Sequence, residues 1–385
     1  MFENPFTPLF GGRPDCFFGR GEILRRFDSA MRDSGSDDRA LFITGSRGYG
    51  KTALLEQLSL RAREEGRTVI DVGSDNPIAG IMRHLFPFDE STKTVDPELE
   101  VNVLGTGGKV RGGSSSKTIH YDRDDFEYLF LKACTRDGFK LLVTIDEVQK
   151  VSLDDVSLIS ESFQMASRKG CDVMLAVAGL PYAYEPIIQN NGCTFLRRAA
   201  HEKLGPLGRE EVRDALVSSF GKIKGLSLDE EALQKLVSAS YGHPYLMQLQ
   251  GYYLVDAVNQ REVGRRHTIG AHEVEAVMPQ VLEAYHQRAL APLVQVMPES
   301  EREYLRAMAS VVDESRVVET ADIAAALGRE QKQLSMVRES LIDNGIVASP
   351  KRGALLFLIP YLAEYFRRND TELDPDVAAA LEWGM

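Results

Sequence analysis

Between residues 40 and 205, short apolar runs take turns with longer segments of helical period. The runs are Ala40-Leu41-Phe42-Ile43, Thr68-Val69-Ile70-Asp71-Val72, Leu141-Leu142-Val143-Thr144-Ile145 and Val173-Met174-Leu175-Ala176-Val177, and Glu202-Lys203-Leu204 looks like a last strand. Runs this short and this apolar suit strands buried on both faces. Helical spacing fills the gaps: Ala53 to near Gly66, about Ile78 to Leu85, Asp124 to Thr135, and about Asp154 to Arg168. The alternation predicts an α/β unit, a parallel sheet with helices on both faces. Ahead of it, Asn4-Pro5-Phe6-Thr7-Pro8-Leu9-Phe10-Gly11-Gly12 is rich in turn formers and predicts an extended strap. A helix follows through Ile23, Leu24, Phe27 and Met31. Residues 88–121 fit neither period. Their glycine- and serine-rich stretch, Gly105 to Ser116, predicts a flexible hairpin or disordered loop inserted after the second strand.

From Pro206 the pattern turns all helical. One helix is expected over Glu210 to Phe220, and Ser227-Leu228-Asp229-Glu230 reads as a capping box opening a second. Gly242-His243-Pro244 opens a third over Tyr245 to Val258, and a fourth runs from about His272 to Leu290. Beyond Pro298 come helices over Glu301 to Ser310, Thr320 to Leu327 and Gln331 to Asp343. A basic tip, Ser349-Pro350-Lys351-Arg352-Gly353, then leads into a strand over Ala354 to Ile359. Two helices and a hairpin in this order predict a winged helix. The expected division is a core through residue 205, a helical lid over 206–297, a winged helix over 298–370 and an acidic tail over 371–385.

The first strand runs into Gly45-Ser46-Arg47-Gly48-Tyr49-Gly50-Lys51-Thr52, and a helix beginning at Ala53 runs out. The pattern G-x-x-x-x-G-K-[ST] in a strand–loop–helix setting is the nucleotide phosphate-binding loop. Its glycines let the backbone curl, so that N–H groups and the positive helix end face one anion. Lys51 is then expected on the β- and γ-phosphates of ATP, and the Thr52 hydroxyl on Mg²⁺. The third apolar run ends in Asp146-Glu147. At the C-terminal end of a parallel strand, Asp146 would orient Mg²⁺ through water, and Glu147 would activate the attacking water. Near the last strand, Arg197 or Arg198 either reaches the γ-phosphate of a neighbouring subunit or forms a solvated basic pair.

Charge narrows the outputs. The 385 residues carry a net charge of −12, which argues against general nucleic-acid binding while leaving room for a local basic face. The expected recognition helix and wing carry Arg329, Gln331, Lys332, Gln333, Lys351 and Arg352, types that reach bases or phosphates of double-stranded DNA. Yet residues 299–370 hold ten basic against twelve acidic side chains, so protein docking is an equal alternative. The four cysteines are scattered and the seven histidines do not cluster, which favours a reducing compartment and no zinc site. With no secretory pattern at Met1 to Phe6 and no run of membrane-spanning length, the expected location is the cytoplasm, without membrane contact.

Five features occur here in a telling order: Phe17-Phe18-Gly19-Arg20 with Glu22, the phosphate loop, Ile145-Asp146-Glu147, Gly242-His243-Pro244 and the terminal winged helix. In this order they resemble the bacterial and archaeal AAA-type ATPases related to origin-recognition initiators and to STAND signalling ATPases. The resemblance covers residues 4–368. It implies an ATP/ADP-binding switch with slow hydrolysis and self-association with ATP. It also implies that Phe18, Gly19 and Arg20 lie against the adenine, that Ala53 belongs to the phosphate-binding turn, and that Pro244 approaches the base. The chain departs from the family pattern in two places. Gly21 stands where a glutamate is usual, and Ala178-Gly179 stand where a polar sensor is usual after the fourth strand.

Overall fold

The structure, a computed structural model, describes residues 1–8, 17–86, 123–261, 266–313 and 316–371. The expected insertion at 88–121, Cys16, and the tail beyond Thr371 lie outside the described residues. Five strands, β1 (Ala40–Gly45), β2 (Thr68–Val72), β3 (Lys140–Ile145), β4 (Asp172–Gly179) and β5 (Ala200–Leu204), form one parallel sheet in the order β2-β3-β4-β1-β5. Phe42 stands opposite Val177 on one side and His201 on the other, which sets the register of the centre.

Alternation along the strands sends side chains to two separate cores. Leu41, Ile43, Leu142 and Met174 face Leu54 and Leu58 of the helix Lys51–Glu64, together with Phe27 of the helix Gly21–Ala30. Phe42, Val143, Leu175 and Val177 face the opposite way, onto the helices Pro77–Leu85, Arg123–Cys134 and Leu153–Arg168. On the first face β4 offers Ala176 and Ala178 beyond Met174, so the start of the phosphate-loop helix can lie close to the sheet. Two short helices, Tyr184–Gln189 and Thr194–Arg197, fill the β4–β5 connection.

The following segment is helical as expected: Arg209–Gly221, Glu230–Ser240, Pro244–Asn259 and Ala271–Tyr285. The last is continued by a widened π turn, His286–Leu290, and a short helix, Ala291–Gln295. The expected capping box at Ser227 is not formed. The cap is Asp229, whose side chain accepts from the Ala232 N–H. Ser227 lies instead in β6 (Leu226–Leu228), which pairs in parallel with β7 (His267–Ile269). Three residues are too few to show a period, and the pairing partner lies about forty positions away, so neither strand is readable locally.

The C-terminal segment consists of the helix Glu299–Val311, β8 (Val317–Glu319), the helix Thr320–Leu327, a 3-10 turn Gln331–Leu334 and the helix Ser335–Asp343. The hairpin β9 (Val347–Ala348) and β10 (Ala354–Phe357) follows, then the helix Leu362–Thr371. β10 lies between β8 and β9 in an antiparallel sheet. The apolar interior of this segment is continuous with that of the preceding helices, from Phe220 and Leu249 through Tyr285 to Leu305, Val347 and Leu355. The N-terminal strap joins the same interior. Phe6 is buried, its ring centroid 5.1 Å from that of Phe220, and Phe2 exchanges hydrogen bonds with the Asn259 amide. Among the described residues no helix is long and apolar enough to cross a membrane.

Candidate functional site

The loop between β1 and the helix Lys51–Glu64 takes the shape its glycines permit. Gly48 and Gly50 have φ of +81° and +85°, in the left-handed region that disfavours other residues. Gly45 is glycine for a different reason: a side-chain carbon there would stand 2.9 Å from the Leu204 carbonyl on β5. Lys51 opens the helix and is 6 % exposed. Its ammonium donates to the carbonyls of Gly45 (2.8 Å) and Ser46 (3.1 Å), and no carboxylate among the described residues comes within ion-pair distance. Burial lowers its pKa, opposed by the more distant charges of Glu147 and Asp146.

Asp146 and Glu147 follow β3, separated from the loop by the end of β4. The Thr52 hydroxyl donates to the Asp146 carboxylate at 2.5 Å, and the other Asp146 oxygen accepts the Glu147 N–H at 2.8 Å. Glu147 itself adopts φ +55°, an unusual conformation for a side chain of its size, and this turns the chain sharply at the sheet edge.

Gly242-His243-Pro244 meets the loop from the other side. His243 caps the helix Pro244–Asn259, taking the Leu246 N–H on Nδ1, and its Nε2–H donates to the Arg47 carbonyl at 3.2 Å. Full burial brings its pKa down to about 4, against the pull of that carbonyl, so the ring is neutral near pH 7. The Tyr245 N–H donates to the Gly48 carbonyl at 3.4 Å. Tyr49 is buried against the His243 ring, and its hydroxyl donates to the Leu358 carbonyl at 3.0 Å; burial pushes its pKa up to about 12, with Arg20 opposing. The Ser46 hydroxyl donates to the Gly345 carbonyl at 2.7 Å in a fully buried contact. The C-terminal segment therefore sits directly on the phosphate loop, some 300 residues away in sequence.

Between sheet and helices lies a cavity of about 470 Å³, a size typical of small-molecule sites. Phe18, Arg20, the turn from Gly48 to Ala53, Asp146, Glu147 and Pro244 all line it. Arg20 has φ +59° and donates to the Gly205 carbonyl; burial lowers its pKa, with Glu211 opposing. Gly19 is not on the cavity wall, and a side chain there would come within 2.7 Å of Leu207. Arg197 and Arg198 are exposed and outside the cavity, and the Arg197 guanidinium is held by the carbonyls of Ile188 and Asn190. Arg47, Lys150 and Arg288 line the cavity too, though the sequence did not single them out. Arg47 is a variable position of the phosphate-loop pattern, and only the tertiary fold brings in Lys150 and Arg288.

Five cations, Arg20, Arg47, Lys51, Lys150 and Arg288, thus face two carboxylates inside a chain of net charge −12. A buried ammonium satisfied only by carbonyls, a curled amide turn and a hydroxyl–carboxylate pair fit a polyphosphate with a divalent cation.

The six residues named for DNA contact, Arg329, Gln331, Lys332, Gln333, Lys351 and Arg352, are all exposed. Arg329 pairs with Glu303 and Lys351 with Glu319. The Gln331 amide oxygen accepts from Thr320, and that of Gln333 accepts the Glu330 N–H.

A nucleotide-type loop on a five-stranded parallel sheet, followed by a helical segment, defines the AAA-type P-loop fold. Solved structures share it over nearly the whole chain. The Walker-type ATPase PABY2304 of Pyrococcus abyssi matches with a TM-score of 0.62 at 15% identity, covering 92% of this chain and 97% of its own. The ORC2 protein of Aeropyrum pernix, in ADPNP–ADP complexes, matches with 0.59 at 15% identity, covering 94% and 96%. Cdc6p of Pyrobaculum aerophilum matches with 0.50 at 17% identity, covering 93% and 95%. The fold is therefore that of archaeal ATPases related to origin-recognition initiators. A family model described as a domain of unknown function (DUF8462) matches residues 288–366. None of the curated proteins matches by sequence.

Proposed function

We propose that this chain binds ATP with Mg²⁺ in the cavity, hydrolyses it slowly, and works as a nucleotide-dependent switch. The observation that carries the reading is Lys51, a buried cation facing a cationic cavity with only carbonyl oxygens for partners. In this reading the amides from Gly48 to Ala53 and the Lys51 ammonium hold the phosphates, and Thr52, with Asp146 through water, holds Mg²⁺. Bound Mg²⁺ supplies charge neutralisation at the transferred phosphoryl group. Glu147 accepts the proton of the attacking water. Phe18, Arg20 and Pro244 border the base, with Gly19 behind them off the cavity wall, and the contact of His243 with Arg47 ties the lid to the loop. We take the core to end at residue 205, the lid at 297 and a winged helix at 370. Arg197 and Arg198 are the groups through which one copy would reach another's nucleotide on self-association. Slow hydrolysis accords with Ala178-Gly179 at the end of β4.

Two outputs remain open to the switch: contact with DNA through the winged helix, or protein contacts alone, as in a STAND-like regulator. A specific observation favours the second. Four of the six expected DNA contacts already hold partners within the chain, and the same segment covers the phosphate loop through Ser46 and Tyr49. Lys51→Ala should abolish ATP binding measured by calorimetry and turnover measured by phosphate release; ordinary turnover in that variant would end the proposal. Tight, salt-sensitive DNA binding that disappears when Lys332, Lys351 and Arg352 are neutralised would eliminate the protein-only output.

A further inference from the structure

Glu147 has one carboxylate oxygen already engaged. Its Oε2 accepts from the Gln149 amide at 2.8 Å and lies 3.2 Å from the Lys150 ammonium. Gln149 is held in turn, because its amide oxygen accepts the Leu180 N–H at 3.1 Å, just past the end of β4. The fit is close. A side-chain carbon on Gly179 would stand 2.9 Å from the Gln149 oxygen and 2.8 Å from Val148, so only glycine leaves room for the bridge. Leu180 leads into Pro181, and Pro181 is where the C-terminal segment lands: a side-chain carbon on Gly345 would be 3.2 Å from the Pro181 ring and 2.7 Å from the Ser46 hydroxyl. One glycine of the C-terminal segment thus touches both the phosphate loop and the turn that anchors Gln149.

We propose that Gln149 is a positioning residue that restrains Glu147 while the C-terminal segment is docked, by bridging the Glu147 carboxylate to the Leu180 amide beneath Gly345. The proposal rests on Glu147 being the base of the reaction proposed above. Two donors engage one of the two Glu147 oxygens and so fix how the carboxylate is turned, and one of them is anchored to a turn the docked segment touches. When Gly345 leaves, the turn that anchors Gln149 loses this contact. The bridge also occupies the strand end where Ala178 and Gly179 offer no polar side chain of their own.

The full chain and the variants Gln149→Ala and Gly179→Ala test this, the second displacing the bridge without altering Glu147 or Gln149. Exchange of the Leu180 amide, followed by mass spectrometry without nucleotide, should quicken at least tenfold in both variants. Affinity for a fluorescent ADP analogue should stay within twofold of the parent, and kcat for ATP should rise several-fold with KM unchanged. Adding Glu147→Gln should bring every chain to the same low background. Unchanged exchange at Leu180, or a kcat equal to or below the parent's with nucleotide affinity intact, overturns the assignment while leaving the ATPase reading standing. A parent chain that binds no nucleotide overturns both.

Discussion

Gly345 is the position where a single methyl group should report on the docking of the C-terminal segment. Its φ is +66°, so alanine there carries a left-handed backbone at a cost of about 1–2 kcal/mol. The added carbon would stand 2.7 Å from the Ser46 hydroxyl, which must then give up its 2.7 Å bond to the Gly345 carbonyl. A buried hydrogen bond contributes about 1 kcal/mol net. Gly345→Ala should therefore weaken docking by about 2–3 kcal/mol, roughly 30- to 150-fold in the docked-to-undocked ratio. Stopped-flow release of a fluorescent ADP analogue reads the consequence, since the docked segment covers the loop proposed above to hold the phosphates. Release should quicken by a comparable factor. Ser46→Ala alone should cost about 1 kcal/mol. With Ser46→Ala in place, Gly345→Ala no longer meets the hydroxyl, and the double variant should fall about 1 kcal/mol short of additivity. A drop in melting temperature with release unchanged, or strict additivity of the pair, would refute the reasoning that this contact gates the loop.

Three further outcomes follow from the geometry. Asp146→Asn should leave ADP binding largely intact and reduce Mg²⁺-dependent hydrolysis by at least a hundredfold in a phosphate-release assay, because it weakens the partner of Thr52. Asp172 binds both Arg67, whose side chain is 1 % exposed, and Arg39, so Asp172→Ala should cost about 3–5 kcal/mol in urea unfolding. Burial works against the Asp172 carboxylate, but the hydrogen bonds from Arg67 and Arg39 hold its pKa below the ordinary value. Its contribution should thus be full above about pH 4 and fade on acidification below that, in an unfolding series across pH. Phe6→Ala should cost about 3 kcal/mol in thermal unfolding, since the ring is 2 % exposed and closely covers Gly251.

What could be read in the sequence was whatever is local. The central strands β1, β3 and β4 were legible because parallel strands buried on both faces leave nearly unbroken apolar runs, and the loop from Gly45 to Thr52 because its backbone shape restricts residue type. Asp146 and Glu147 followed from their place at the end of β3. Short elements escaped. β6, β7 and β8 have three residues each, and the cap at Asp229 lay two positions from the one expected at Ser227. Arg288 sits in a widened turn that no periodicity marks. Gln149 looks like any polar residue of a turn until Leu180, thirty-one positions on, supplies its other partner. The cover over the phosphate loop depends on pairs such as Ser46 with Gly345 and Tyr49 with Leu358, where nothing nearby in sequence hints at the contact.

The strap has a consequence for how the chain comes together in time. Phe2 and Asn259 exchange hydrogen bonds across 257 positions, and Phe6 fills a space among side chains just as distant. At roughly 5–20 residues per second of synthesis, the strap waits on the order of 13–50 s for its partners. The sheet, whose strands all lie before residue 205, can assemble during that interval. An apolar peptide displayed this long beside a finished core stays open to other contacts until the helices from Arg209 onward enclose it.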